Sequence, residues 1–480
     1  MRKILVLLNS IAGLCYRVEP NFLDHTVLID DAKSSELSFI DSIFGELVND
    51  EKSLRYKKAL LASGDKSLYS EKSSEANLEE LFNQMQESDL GTFSEILQEY
   101  HINNELNQEQ RYFDKAHEGF KRYKSQINYP DKDDTSDMSD SAASLFGGIV
   151  SFAHFPYFNC FNPKYYDKEI DIAIVGAPFD TGTSYRPGAR FGPNAIRSGS
   201  KRLGLGSTPV RGNTKDSPLY GLDPYDTKSH NLTLIDCGDV PMTPFDNRIA
   251  LNQLYRGIRS IYNHPSRNAA KFPKIITLGG DHTITLLTIK AAYERYGKIT
   301  VLHFDSHIDT WDPKVLGGGI THYMSLNHGT FLHYASEQGY LTESNFHIGL
   351  RAPYISPSYD KKHDIDCGFH VISARDLDNF GRDEIIKRIK ETVGDGPLYI
   401  SVDIDVLDPA NAPGTGTMEI GGFTGRELLS LLDGLSGVNL IGADVVEVSP
   451  PYDSNSEITS LAATAVIDSF LGLLVVNEIS

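Results

Sequence analysis

The sequence has few cysteines, and they are not arranged in pairs. Cys15, Cys160, Cys237 and Cys367 lie far apart in the 480 residues and include no CxxC motif. Disulfide scaffolds and thiolate zinc sites usually depend on closely spaced, paired cysteines. The sequence therefore predicts neither a disulfide scaffold nor a zinc site built on thiolates.

Long apolar runs and a surplus of positive charge are also missing. No apolar run approaches the roughly 20 residues that span a bilayer. The chain has 45 Lys and Arg against 65 Asp and Glu, which gives a net charge of −20. This balance argues against a nucleic-acid partner and against binding to an anionic membrane. An acidic chain suits a cationic small-molecule substrate, although solubility accounts for the charge equally well.

The N-terminus has a short basic start followed by an apolar segment, "MRKILVLLNSIAGLCYR". This pattern is typical of a short secretory signal, over residues 1–15, and would place the protein in the secretory pathway or outside the cell. The alternative is a first β-strand or a disordered start in a cytoplasmic protein.

Composition divides the remaining chain near residue 145. Residues 16–145 are acidic, contain almost no valine or glycine, and end in the linker "YPDKDDTSDMSDSAAS". Narrow helical stripes such as "SELSFIDSIFGELV" occur within them. This composition predicts a loosely helical, partly disordered extension that precedes a separate domain over residues 146–480.

Residues 146–480 alternate between apolar strands and helix-length segments. The predicted strands cover residues 171–178, 232–240, 274–280, 299–305, 345–350, 369–374, 398–405 and 439–448. Predicted helices include Asn247–Tyr262, Thr283–Tyr296, Arg382–Val393 and Glu457–Leu473. Such alternation predicts an α/β fold with a mostly parallel sheet covered on both faces.

Charged residues follow three of these predicted strands. They occur in "LGGDH", "HFDSHIDTW" and "SVDIDVLDP", as His282, Asp305, His307, Asp309, Asp403 and Asp405. In an extended chain the alternate residues of the second motif would point to one side. Because ligands of parallel sheets bind beyond the carboxyl ends of the strands, we expect all six side chains to meet at one edge.

Four carboxylates and two imidazoles collected in one place need cations. Without counter-ions they would raise each other's pKa and destabilise the fold. Six ligands exceed one tetrahedral zinc site and suit two ions that share carboxylates. Each motif alone is explained by a solvated turn or a helix cap. Together they predict a binuclear centre, and the oxygen-rich ligands favour Mn²⁺ over cobalt, iron or zinc.

The three motifs closely resemble the metal signatures of the ureohydrolases, the arginase and agmatinase superfamily. "GAPFDTGTSYRPGARFGPNAIR" and "GIVSFAHFPYF" also look like segments of agmatinases, most similar to the fungal agmatinases and guanidinobutyrases. The resemblance runs from about residue 147 to the C-terminus. It implies a three-layer α/β/α sandwich around an eight-stranded parallel sheet, and a homo-oligomer, either a trimer or a hexamer.

The resemblance also implies a division of the ligands between two Mn²⁺ ions per subunit. One ion would be held by His282, Asp305, Asp309 and Asp403, and the other by His307, Asp305, Asp403 and Asp405. Two such ions lower the pKa of a shared water, which then attacks the central carbon of a guanidinium. The products would be urea and an amine.

Three further roles follow from the same resemblance. Asp309 is expected to carry a proton to the departing amine, and Glu447, in "DVVEVSP", to hold the guanidinium. His328, in "SLNHGTF", is the expected proton shuttle. His322 is the alternative, because the glycine-rich residues 316–322 could close over the site. Asp444 could orient a ligand, but a structural role is the stronger interpretation.

The identity of the substrate depends on the residues that hold its tail. Trp311 occupies a position where arginases have an asparagine, which argues against arginine and favours the substrates of agmatinases and guanidinobutyrases. Between these, the acidic chain favours agmatine, cleaved to putrescine and urea. The alternative substrate is 4-guanidinobutanoate, cleaved to 4-aminobutanoate and urea. Asp312 is a candidate anion for the tail, and Arg186 and Arg351 are candidate cations. A non-catalytic guanidine-binding protein of the same fold is the hypothesis from another class, and the complete ligand set argues against it.

Overall fold

The computed structural model describes residues 150–203, 217–317 and 325–479. Within these ranges eight strands form one parallel sheet in the order β2-β1-β3-β8-β7-β4-β5-β6. The strands are β1 (Ile172–Gly176), β2 (Leu234–Asp239), β3 (Lys274–Leu278), β4 (Thr300–Phe304), β5 (Asn345–Leu350), β6 (Phe369–Ser373), β7 (Leu398–Asp403) and β8 (Leu440–Val446). All eight predicted strands are confirmed. The predicted signal and acidic extension lie outside the described residues.

Helices connect these strands. They are α1 (Gly192–Gly199), α2 (Thr227–His230), α3 (Asn247–Tyr262), α4 (Thr285–Tyr296), α5 (Phe331–Glu337), α6 (Pro357–Asp366), α7 (Asp376–Phe380), α8 (Arg382–Val393), α9 (Gly425–Gly434) and α10 (Ile458–Ile479). The predictions for α3 and α8 are confirmed to the residue. α3 begins where the Asp246 side chain accepts a hydrogen bond from the Ile249 amide, and α9 begins with a capping box of Thr424 and Glu427.

The sheet is buried because helices cover both of its faces. Every residue of β1, β3, β4, β7 and β8 is buried. One apolar core joins strand residues such as Ile174 and Ile276 to α1, α8, α9 and α10. The helices α3, α4 and α5 contact one another in sequence order. The three-layer α/β/α architecture is therefore confirmed.

The prediction about cysteines is wrong for one pair. Cys160 and Cys237 form a disulfide across 77 residues, with their Cα atoms 5.2 Å apart. Cys237 lies in β2, and the segment that carries Cys160 runs beside this strand, where Tyr157 bridges to Asp236. Sequence spacing gave no sign of the pairing, because only the folded chain brings the two segments together. Cys367 is a buried free thiol.

The prediction that no apolar run approaches membrane-spanning length is also wrong. Residues Ile458–Glu478 of α10 are long and apolar enough by length and composition, with a mean hydropathy of 1.9. The sequence interpretation looked for an uninterrupted apolar run, and polar residues such as Asp468 interrupt this one. Its mean hydropathy nevertheless stays high, because the other residues are strongly apolar. In the structure 72% of its apolar 18-residue window is buried. The helix packs against α1, α9 and β8. Packing of this kind is that of a core helix.

Candidate metal centre

The carboxyl ends of β3, β8, β7 and β4, which are neighbours in the sheet, bring the predicted ligands together. His282 follows β3, Asp305 follows β4, and Asp403 ends β7. The chain passes tightly through Gly280, where an added Cβ would lie 1.8 Å from the Phe179 carbonyl oxygen. Glycine is therefore required at this approach to His282. We call His282, Asp305, His307, Asp309, Asp403 and Asp405 the strand-end cluster.

The strand-end cluster has two parts that share Asp305, and we call each part a half. One half consists of His282, Asp305, Asp309 and Asp403 and is arranged around His282. Its Nδ1 atom lies 3.2 Å from Asp305 Oδ2, 3.1 Å from Asp309 Oδ2 and 3.3 Å from Asp403 Oδ2. All four residues are buried. This group contains the four side chains that the resemblance assigned to one ion.

The other half is arranged around His307. Its Nδ1 atom lies 3.2 Å from Asp305 Oδ1 and 3.1 Å from Asp405 Oδ2. Asp305 therefore presents one oxygen to each half, as a bridging carboxylate would. Asp403 Oδ1 accepts a hydrogen bond from the Asp405 amide at 2.8 Å, so a bridging role for Asp403 stays a prediction.

The segment from Asp305 to Asp309 is not extended, contrary to the sequence interpretation. β4 ends at Phe304, and Asp309 adopts a φ of 49°. This left-handed conformation is unfavourable for a residue with a Cβ, and such strain is found mainly at functional sites. The turn directs Asp309 to His282, whereas His307 faces Asp405. The ligands converge because the chain turns, and not because alternate residues share one face.

The strand-end cluster fits a divalent cation. His282 Nδ1 and Asp305 Oδ2 are buried and have no hydrogen-bond partner among the described residues. Buried polar atoms are normally paired, so unpaired ones need an explanation. Ser401 Oγ donates to Asp444 at 2.5 Å and must therefore accept from His282 Nε2, which lies 2.8 Å away. In the neutral ring His282 Nδ1 is then a lone pair, the form that binds a metal. Burial opposes a charged ring, but contacts with the carboxylates of Asp305, Asp309 and Asp403 raise the pKa of His282 well above its ordinary value, so an entering cation displaces a proton from Nδ1.

The carboxylates of the cluster also compete with one another for ionisation. Burial and the nearby Asp305 carboxylate raise the pKa of Asp309 to about 6. Burial, together with Asp405 and Asp305, raises the pKa of Asp403 well above its ordinary value. Burial opposes ionisation of Asp305 as well, yet neighbouring histidines hold its pKa well below the usual range. A bound cation would remove this competition.

His303 belongs to the site and was missed in the sequence. Its Nε2 atom lies 3.0 Å from Asp305 Oδ2, and its Nδ1 lies 2.8 Å from His347 Nδ1. His347 Nε2 in turn lies 2.8 Å from Asp364 Oδ1, on α6. We call His303, His347 and Asp364 the histidine chain. Burial lowers the pKa of His303 to about 3, so its ring is neutral. The signal in the sequence was a histidine in an apolar strand, two residues before Asp305.

Asp444 has both of the roles considered for it. It is fully buried, and its Oδ2 atom accepts hydrogen bonds from Thr285 and Tyr399, each at 2.9 Å. Through Ser401 it also fixes the ring of His282. Supports of this kind orient metal ligands and set their tautomers.

Glu447 offers one free carboxylate oxygen beside the cluster. Its Oε1 atom accepts from the His282 amide at 3.0 Å and lies 3.0 Å from His328 Nδ1. Its Oε2 atom is buried and has no hydrogen-bond partner among the described residues. Glu447 has a φ of 60°, so its backbone is strained as at Asp309. The free oxygen is a suitable acceptor for a cationic group.

His328 is placed between Glu447 and Ser184. Its Nε2 atom lies 2.8 Å from Ser184 Oγ, opposite the contact with Glu447. Burial opposes the charged ring, but Glu447 raises the pKa of His328 to about 9 overall. The Ser184 amide donates to His328 Nε2 at 3.1 Å, so Nε2 accepts and Nδ1 is the atom that donates to Glu447. The alternative, His322, lies outside the described residues.

A cavity of about 110 Å³ opens over the cluster. It is lined by Ser184, His307, Asp309, Trp311, Leu316, His328, Gly329, Asp403 and Thr417. None of these described lining residues is Lys or Arg. The apolar surfaces of Trp311 and Leu316 and the carboxylates of the cluster suit a short cation with an aliphatic part.

The candidate residues for the substrate tail are mostly engaged elsewhere. Asp312 Oδ2 accepts from Tyr359 Oη at 2.5 Å, and Asp312 does not line the cavity. The Arg351 guanidinium donates to backbone carbonyl oxygens, including that of Asp405 at 2.6 Å. The Arg186 guanidinium lies over the Tyr452 ring, 5.5 Å from its centroid.

Glu419 is another carboxylate that the sequence did not suggest. Its Oε1 atom lies 3.9 Å from His307 Nε2, and its side chain is 36% exposed. It therefore combines closeness to the strand-end cluster with access to solvent. A carboxylate in this position could meet the far end of a substrate that enters the cavity.

Comparisons with known proteins agree with this architecture. The arginase family matches residues 170–472. The chain is 45% identical over 353 residues to a Schizosaccharomyces pombe protein named "Putative agmatinase 1", covering 71% of this chain and 85% of that one. It is 36% identical over 325 residues to an agmatinase of Photorhabdus laumondii, covering 67% of this chain and 92% of that one.

A solved structure has the same fold. Proclavaminate amidino hydrolase from Streptomyces clavuligerus is 33% identical, with a TM-score of 0.57, and the match covers 69% of this chain and 99% of that one. The family match over residues 170–472 contains the sheet and the complete strand-end cluster.

Proposed function

The chain belongs to the arginase family, and from that premise we propose that it hydrolyses agmatine to putrescine and urea with two Mn²⁺ ions per subunit. It is a ureohydrolase that acts on a guanidino compound. The choice of agmatine and of manganese is our proposal. It depends above all on a free, buried carboxylate oxygen of Glu447 beside six converging metal ligands.

The first step of the proposal is recognition of the guanidinium. Glu447 Oε2 has no other partner among the described residues, and a guanidinium offers several N–H donors in one plane. Because Glu447 Oε1 is already held by the His282 amide and His328, the carboxylate has a fixed orientation. The guanidinium would thus lie with its carbon facing the strand-end cluster.

The protein then has to move a proton from the attacking water to the leaving nitrogen. When bound, the two ions supply an activated water at neutral pH. Asp309 lines the cavity, and its carboxylate lies 3.1 Å from His282 Nδ1, so it is placed to accept a proton and to return it to the departing amine. His328 lies on the other side of Glu447 and lines the cavity, where it can exchange protons with solvent.

The charge of the cavity favours a cationic tail over an anionic one. The described lining has no Lys or Arg. Glu419 does not line the cavity, but its half-exposed carboxylate lies 3.9 Å from His307, which does. Agmatine ends in an ammonium group, which these residues would attract. The carboxylate of 4-guanidinobutanoate would meet repulsion from Glu419.

A urea-release assay on the manganese-loaded full chain tests the proposal. Agmatine, 4-guanidinobutanoate and arginine should be compared at equal concentrations, with Mg²⁺-treated protein as the control. We expect turnover of agmatine to exceed that of the other two at least tenfold. A preference for 4-guanidinobutanoate would contradict the assigned substrate. Saturable agmatine binding without urea release from any substrate would favour the non-catalytic guanidine-binding protein.

Location and assembly belong to the same proposal. The Cys160–Cys237 disulfide is typical of proteins that fold in an oxidising compartment, which supports the secretory interpretation of residues 1–15. The mass of the mature N-terminus in secreted material tests it, and an intact Met1 in the cytosol would contradict it. A trimer or hexamer is expected, and sedimentation analysis of the full chain tests that expectation.

A further inference from the structure

A second group of metal-binding side chains lies between α5 and α6. His333, His363 and Cys367 have ligand atoms that all fall within 4.8 Å of one another. His333 Nδ1 lies 3.0 Å from His363 Nε2, and this same Nε2 atom lies 3.7 Å from Cys367 Sγ. We call these three residues the helix-pair cluster. It shares no residue with the strand-end cluster.

The spacing of these residues along the two helices is that of a metal site. His363 and Cys367 are four residues apart on α6 and its C-terminal cap, and His333 and Glu337 are four residues apart on α5. Residues four apart lie on the same face of a helix. Zinc proteases use two histidines at this spacing to hold their metal. Two such pairs on contacting segments provide four donor side chains.

The separations agree with tetrahedral zinc coordination. Zn–N bonds of about 2.0–2.1 Å and Zn–S bonds of about 2.3 Å place two nitrogens about 3.3 Å apart, and a nitrogen about 3.6 Å from a sulfur. The observed 3.0 Å between the histidines and 3.7 Å from His363 to Cys367 require shifts of only a few tenths of an ångström. The third separation, between His333 and Cys367, is within 4.8 Å, so these two side chains have to close on an entering ion.

We propose that His333, His363 and Cys367 bind one Zn²⁺ ion between α5 and α6. Glu337, one turn from His333, is the candidate for the fourth ligand, and its side chain has to move to reach the ion because its carboxylate lies outside the group of atoms within 4.8 Å of one another. Glu337 is exposed and acts electrostatically on His333. Both histidines are half-buried, so the ion can enter from solvent. Burial raises the pKa of the Cys367 thiol to about 12, so the sulfur is protonated until the metal displaces that proton to solvent.

The two helices joined by this ion also support the strand-end cluster. Phe331 of α5 stacks on the ring of His282, with centroids 4.5 Å apart. Asp364 of α6, next to His363, holds the outer end of the histidine chain. Zinc would thus tie together two elements that stand behind the candidate metal centre. The proposal does not depend on which reaction that centre performs.

Cobalt titration of the manganese-loaded full chain tests the zinc site. A thiolate bound to Co²⁺ gives a charge-transfer absorption band in the near ultraviolet, whereas carboxylates and imidazoles do not. We expect the band to saturate at one Co²⁺ per subunit and to disappear when Zn²⁺ is added. The Cys367→Ser variant should lose the band. Cys160 and Cys237 are joined to each other, so Cys15 is the other cysteine that could supply a thiolate. Cys15→Ser is therefore the matched control and should retain the band.

Two further variants and one measurement on the unaltered protein complete the test. His363→Gln should weaken Co²⁺ binding at least tenfold, and Glu337→Gln should weaken it less while the band remains. X-ray absorption at the zinc edge, with one Zn²⁺ added to the manganese-loaded wild type, should detect a sulfur neighbour at about 2.3 Å. Zinc with only nitrogen and oxygen neighbours would overturn the proposal, and so would a band that survives in Cys367→Ser.

Discussion

The strand-end cluster and the helix-pair cluster both contain histidines, but they differ in their other donors and in how their atoms are satisfied. The strand-end cluster combines imidazoles with carboxylates, is almost fully buried, and leaves His282 Nδ1 and Asp305 Oδ2 without partners. The helix-pair cluster combines imidazoles with a thiol, is partly open to solvent, and has its two histidines 3.0 Å apart. Oxygen-rich sites suit manganese and sulfur-containing sites suit zinc.

Because of this difference, we expect the two clusters to respond differently to the loss of a bound metal ion. Several carboxylates in a dry environment are costly unless cations balance them. The atoms of the helix-pair cluster can pair with one another when no ion is present. We therefore expect metal loss to abolish function at the strand-end cluster, but to leave the fold around α5 and α6 intact.

The largest expected effect comes from removing the bridging carboxylate. Asp305→Ala should abolish both metal retention and turnover, because Asp305 presents an oxygen to each half of the strand-end cluster. Elemental analysis after desalting should give fewer than one manganese per subunit, against two in the wild type. The cobalt–thiolate band of the helix-pair cluster should persist in this variant. Loss of both metals together would show that the two clusters are not independent.

Glu447→Gln should separate metal binding from substrate binding. The strand-end cluster is unchanged in this variant, so two manganese ions should remain. Losing one partner of a buried charge pair costs about 2–5 kcal/mol, so kcat/KM for agmatine should fall by roughly 30- to 5,000-fold. Steady-state kinetics on the metal-loaded variant measures this. Near-normal activity would remove Glu447 as the guanidinium anchor.

Asp364→Asn tests whether the histidine chain supports metal binding at the strand-end cluster. Asp364 holds His347, which contacts His303 beside Asp305. Loss of a support that orients a metal site typically weakens metal affinity about 10- to 100-fold. Competition with a fluorescent chelator measures the manganese affinity. Asp366→Asn, on the same helix but 56% exposed, is the matched control and should bind manganese normally. Equal affinities in the two variants would show that the histidine chain has no such role.

The smallest expected effect concerns the substrate tail. Glu419→Gln should raise KM for agmatine about three- to tenfold and leave kcat little changed, because an exposed carboxylate contributes about 1 kcal/mol to attraction of an ammonium. KM for 4-guanidinobutanoate should fall or stay constant. Asp312→Asn should not alter KM for agmatine, since Asp312 is bound to Tyr359 outside the cavity. An effect of Asp312→Asn alone would reverse this assignment.

Much of the strand-end cluster could be predicted from the sequence, because each member is adjacent to a strand. His282, Asp305 and Asp403 lie at or just beyond the ends of β3, β4 and β7, and parallel strands bring their carboxyl ends to one edge of the sheet. The local path was less predictable. Asp309 reaches His282 through a left-handed turn, and nothing in "HFDSHIDTW" distinguished that turn from an extended chain.

The sequence by itself determined the alternation of strands and helices, which six strand-end side chains converge, and the resemblance to the ureohydrolases. Tertiary structure alone decided the Cys160–Cys237 disulfide, the partners of His303 and the meeting of α5 with α6 at His333, His363 and Cys367. Hydrophobic periodicity and strand-end motifs are local properties that a sequence displays directly. Contacts between segments 30 to 77 residues apart depend on how the helices pack on the sheet, and no spacing along the chain records that packing.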